Sequence, residues 1–217
     1  MTKSVLLCLA LFAAAPAWAQ EPPILTSEQE FARVEATGRA ALDAGRYGDA
    51  LLIAQDALVF ARREFGPASP LAFRAMNDLA VVRQVKGEGA AALPLALEAA
   101  GGLERLAGPD HPDTLNALAN LAQLYMSLRR PADAEPLLRR VYLARVRTLG
   151  SSHEGTLTAL LEWAVFMSHE HRLREISAEL QAGAATARTA LGAENEVARD
   201  LTQAAQAARS RTTSAAR

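Results

Sequence analysis

The sequence has 217 residues, half of them hydrophobic, 22% charged and 5% aromatic, with 23 basic against 24 acidic side chains and a formal charge of −1. That length suits one domain or one repeat array with ample apolar material for a core, and the charged fraction argues against intrinsic disorder. The near-even charge gives no electrostatic reason to expect nucleic acid, and abundant Ala, Leu, Arg and Glu with few aromatics favour helices over a β-sandwich, so the fold class is all-α.

Residues 1–19 read as a secretory signal peptide. Lys3 supplies a positive start, Val5 to Ala15 form an apolar run, and Ala17-Trp18-Ala19 gives the small-x-small pattern of a cleavage site. The run falls short of the roughly twenty residues that span a bilayer. Cleavage after Ala19 leaves 198 of the 217 residues and, without Lys3, a charge of −2. A lipid anchor on the single cysteine, Cys8, is disfavoured. The apolar run continues past it, and Val5-Leu6-Leu7 lacks the small residue such sites need. The mature chain then has no thiol and no disulfide.

One recurring interval organises the rest of the chain. Gly66, Gly108, Gly150 and Gly192 are evenly spaced, and the small residues Gly38, Ala80, Ala122 and Ala164 keep the same spacing. Ala50, Ala92 and Ala134 do so too, with Ile176 next in line, and His111 matches His153 as Thr114 matches Thr156. Within a period, Leu115, Leu118, Leu121, Ala122 and Tyr125 follow helical spacing, and Pro131 opens a second helix that Gly150 closes. Each unit is thus a helix pair, the small columns letting the helices approach closely.

In chain order, residues 20–27 form a short linker, and Ser27 with Glu30 has the spacing of a capping box. Helix pairs are expected at 28–44 with 48–65, 70–86 with 90–107, 113–129 with 132–149, and 154–171 with 173–191. The repeats are 28–66, 70–108, 112–150 and 154–192. A helix at 194–209 caps the last pair, because each unit buries its core only against a neighbour. Residues 210–217 have no apolar periodicity and read as a flexible tail. Gly101-Gly102 falls inside the second helix of repeat two, where two glycines cost about 2 kcal/mol relative to alanine, so a kink or close helix contact is expected.

The pattern resembles the tetratricopeptide repeat, in the 42-residue form of kinesin light chains. Repeat three carries it best, through Gly108-Pro109-Asp110-His111-Pro112-Asp113-Thr114-Leu115, the run Asn116 to Tyr125, and Ala132-Asp133-Ala134-Glu135-Pro136-Leu137-Leu138. Repeat four departs from it, with His169-Glu170-His171-Arg172-Leu173 in place of a Gly-rich turn. The resemblance covers about residues 28–193 and implies a right-handed superhelical solenoid whose concave groove takes an extended peptide or a partner helix.

The groove would be lined by the first helix of each pair. Repeats two and three then offer Arg74, Asn77, Val81, Gln84, Val85, Asn116, Ala119, Gln123, Met126 and Ser127, with Asn120 one turn from Asn116. Repeat one offers Ala32, Glu35, Arg39, Leu42 and Asp43, and repeat four Thr158, Leu161, Val165, Ser168 and His169. The amides suit a peptide backbone whatever its sequence, while Val81, Val85 and Met126 suit apolar side chains.

Residues 129–147 are locally basic, and Arg139, Arg140, Arg145 and Arg147 read either as a solvated convex face or as a contact patch for an acidic partner. His169 and His171 point about 200° apart on a helix and cannot chelate one metal ion. No nucleophile elbow, phosphate-cradling loop or zinc-protease motif is present, so no catalytic residue, metal or cofactor is assigned.

The reading is an exported, non-catalytic scaffold that binds a protein or peptide partner in the bacterial periplasm or outside the cell. Alternatives are a periplasmic holdase-like chaperone or, further off, a helical small-ligand-binding protein or enzyme. Nucleic acid and a transmembrane segment are not expected. A homo-oligomer joined through an uncapped end stays open.

Overall fold

The computed structural model describes residues 25–210, and the expected signal peptide and most of the expected tail lie outside them. Among the described residues there is no strand. The helices are α1 (Ser27–Asp43), α2 (Tyr47–Phe65), α3 (Pro70–Val85), α4 (Gly89–Ala107), α5 (Pro112–Ser127), α6 (Pro131–Leu149), α7 (Glu154–His169), α8 (Ser177–Leu191) and α9 (Glu196–Ser210). Each helix packs against the next, and α3 also touches α5, the arrangement of stacked helix pairs.

Two glycine-bearing columns set the turns. Gly66, Gly108, Gly150 and Gly192 end the second helices with φ of 92°, 99°, 85° and 90° and ψ of 152° to 165°. That is an extended backbone of reversed hand, which is essentially closed to residues with a Cβ and explains the regular glycine column. Between the helices of each pair, Gly45 and Gly87 take φ of 70° and 82°, and Arg129 and His171 hold the equivalent places at 56° and 57°.

First helices start on a further column. Ser69 Oγ accepts from the Ala72 amide, the Nδ1 atoms of His111 and His153 accept from the Asp113 and Gly155 amides, and Asn195 Oδ1 accepts from Val197. The recurring histidines are therefore helix caps. Helix α1 departs from the expected Ser27–Glu30 box. The cap is Thr26, whose hydroxyl accepts from Gln29 N–H while the Gln29 side chain accepts from Thr26 N–H. Thr26-x-x-Gln29 and Ser27-x-x-Glu30 satisfy the same spacing one position apart. The sequence has Ile24 where the later repeats have Gly66, Gly108 and Gly150, and the helix takes the earlier start.

The core runs the length of the array. Phe31, Phe73, Leu115 and Leu157 repeat at one place, and Ala50, Ala92 and Ala134 are fully buried where paired helices meet. Ile176 is also buried but is too large for that contact. The chain winds through a 3₁₀ turn at Leu173–Ile176, and α8 starts at Ser177, later than the expected start at Leu173. Helix α9 closes the gap by packing on α8, α7 and the 3₁₀ turn. Gly102 answers the expectation of a close contact, since a Cβ there would lie 2.5 Å from the Phe73 ring.

Both ends of the array are polar. The places that hold Ala75, Leu79 and Val82 in α3, all buried, hold Arg33, Thr37 and Ala40 in α1, all exposed. Helix α9 buries Ala198, Leu201, Ala205 and Ala208, while Arg199, Gln206 and Arg209 stand on its exposed side.

Candidate functional site

The first helices α1, α3, α5 and α7, together with α2, border an open cavity of about 540 Å³. Its wall includes Arg74, Asn77, Val81, Asn116 and Asn120 from the expected groove set, together with Glu35 and Arg39. Gln84 and Met126, both half-buried, and the exposed Gln123 do not line it. The cavity also reaches Arg145 of α6, the expected basic residue that turns inward.

Several of these side chains are committed to one another. Asn120 Nδ2 donates to Asn77 Oδ1 at 3.2 Å, and Asn77 is 8% exposed. Arg74 donates to Glu35 at 2.5 Å, reaching from α3 to α1. Arg145 donates to the Gly155 carbonyl and to Asn116 Oδ1, both at 2.9 Å. The polar side chains of the cavity wall thus form a network that spans repeats, beside the apolar Ala50, Ala54, Ala57 and Leu103, with Asn116 exposed at its edge.

Three carboxyls belong to this wall that motif spacing missed: Asp78, Asp113 and Glu162. Asp78 and Glu162 occupy the place of Asn120 in the repeats on either side, so extending the Asn120 column along the chain would have found them. Desolvation pushes the Glu35 carboxyl up to about 7, with Arg74 opposing and Asp78 adding to the rise. Burial also raises Asp78 and Glu162, against the pull of Arg39 and Arg74 on the first and Arg145 on the second.

Two of the remaining arginines of the basic stretch face acids 36 and 37 residues earlier in the chain. Arg140 pairs with Glu104 at 2.7 Å and Arg147 with Asp110 at 2.9 Å, while Arg139 is exposed. Arg172 bridges Glu135 and Glu175, which holds its guanidinium above its ordinary value and Glu175 below. Local charge counting could not see the partners of Arg140 and Arg147, because those acids lie 36 and 37 residues earlier in the chain. No described helix is long and apolar enough to cross a membrane.

Residues 71–145 match the sequence profile of the tetratricopeptide repeat. A crystal structure of nearly identical TPR-like repeats from a kinesin light chain of Podosopora anserina superposes with a TM-score of 0.73 at 19% identity, over 88% of this chain and 92% of that one. The fold is a tetratricopeptide-repeat solenoid. BtubC (BKLC) from P. vanneervenii is also similar, with a TM-score of 0.63 at 17% identity over 83% of this chain and 77% of that one. No curated protein matches the sequence. In tetratricopeptide terms, α1, α3, α5 and α7 are the first helices of successive repeats, and α9 packs on the last pair.

Proposed function

We propose that this tetratricopeptide solenoid is an exported scaffold without chemistry of its own, which holds an extended segment of a protein partner in its concave groove. The observation that carries the proposal is the open cavity of about 540 Å³ between the first helices and α2, where amides and charged groups stand beside apolar side chains such as Val34, Ile53 and Val81. The amide edge at Asn116 supplies donors and acceptors that a peptide backbone can use without regard to its sequence. Export rests on the Lys3, apolar-run and Ala17-Trp18-Ala19 sequence at the start of the chain.

The test is capture from an envelope extract with the protein as bait, partners being identified by mass spectrometry, beside a bait carrying Asn116→Ala and Arg39→Ala. Both residues line the cavity and are exposed, so the double variant should fold normally. Asn77 is left intact because its removal would strand the Asn120 amide. One or two stoichiometric proteins lost with the variant bait support the groove. A broad set of partly unfolded proteins would replace the reading with a holdase, and partners held equally by both baits would place recognition elsewhere.

A further inference from the structure

The charges around the groove are unequally committed. Arg74 is tied to Glu35, and Arg145 is held by a carbonyl and an amide. Among the described residues, neither Asp78 nor Glu162 has a cation within ion-pairing distance. Asp78 accepts one long hydrogen bond, 3.4 Å, from Asn77 Nδ2. Glu162 Oε2 is buried with no partner. Arg39, the other cation of the wall, is exposed and forms no ion pair with either acid.

The two acids are placed alike. Residues 78, 120 and 162 hold one position in three successive first helices, so Asp78, Asn120 and Glu162 set a row of acceptor oxygens along one cavity wall. Arg39 and Arg74 act on Asp78, and Arg145 on Glu162, only from beyond pairing distance. Taking a carboxylate out of water without a contacting cation is costly, and the cost is returned when a positive group arrives in the same low-dielectric space. The raised affinity of both carboxyls for a proton is the same deficit seen from the protein side.

Building on the groove as the site of a peptide segment, we infer that the segment is cationic, with lysine or arginine side chains completing the ion pairs that Asp78 and Glu162 leave open. An acidic segment would add like charge beside two unpaired carboxylates, and a neutral one would desolvate them further without return.

The experiment measures binding of three fluorescein-labelled decapeptides to the full chain by anisotropy at low salt, alternating serine with lysine, glutamate or asparagine. The lysine peptide should bind about tenfold or more tighter than the other two, the scale of a close charge pair. Asp78→Asn and Glu162→Gln should each weaken it several-fold without lowering the melting temperature, and Glu98→Gln on the exposed face of α4 should leave it unchanged. Lysine-peptide binding that ignores both groove variants overturns the inference, as does glutamate-peptide binding of equal strength. If the asparagine peptide binds as well as the lysine peptide and Asn116→Trp abolishes both, the groove reading stands and the cationic inference falls. If none of the three binds more tightly than about 1 mM, both fall.

Discussion

Gly101 and Gly102 sit side by side in α4 under different constraints. At Gly102 the helix backbone lies against the Phe73 ring, and any Cβ would overlap it. At Gly101 the nearest atom is the Nη1 of Arg105, 3.4 Å away at the end of a flexible chain. Alanine improves a helix interior by about 1 kcal/mol, whereas forcing atoms into a filled core costs about 1–3 kcal/mol. Gly101→Ala should therefore raise the chain's stability by up to about 1 kcal/mol, and Gly102→Ala should lower it. Denaturant unfolding of the two variants decides, and a shift of the same sign in both would refute the packing account. Adjacent letters in a sequence cannot show this difference, because the ring that separates them belongs to another helix, α3.

At the scale of the helix, the period made most elements legible. The glycines at 66, 108, 150 and 192 hold a backbone only glycine adopts, so helix ends announce themselves once in every repeat. Starts were harder. Ser27, Ser69, His111, His153 and Asn195 share one column, yet α1 is capped by Thr26. Thr26→Ala should cost about 1 kcal/mol and speed amide exchange in the first turn of α1, while Ser27→Ala, inside the helix, should change little. Equal effects from the two substitutions would restore the later start. Helix α8 was legible only in part. The substitution at Ile176 signalled a departure, but the 3₁₀ turn that absorbs it depends on how α9 packs behind it. The cavity wall followed the same rule: that Asn77, Asn116 and Asn120 share a surface could be read from their columns, while the links of Arg74 to Glu35 and Arg145 to Gly155 needed the stacking of repeats to bring them together.

For the whole molecule, the Glu35 carboxyl gives stability a definite dependence on pH. Its proton is held up to about 7 in the folded chain against an ordinary 4.5, so the folded state binds more protons than the unfolded state between those values. This contribution to stability is therefore fully present at low pH and falls as pH rises through that window. Asp78 and Glu162, also raised, act in the same direction. Melting temperatures across that window should decline less steeply in Glu35→Gln than in the unaltered protein, with Arg74 present in both. Parallel curves would show that Glu35 is effectively hydrated.

The polar outward faces of α1 and α9 carry a last consequence. Neither Arg33 and Thr37 at one end nor Arg199 and Gln206 at the other offers an apolar face for a further helix pair. Four first helices spaced by about 10 Å then define a trough on the order of 30 Å long, or roughly nine residues of extended chain. On the proposed function, the solenoid would act as a ruler, one that measures the segment laid along it and leaves the rest of the partner outside.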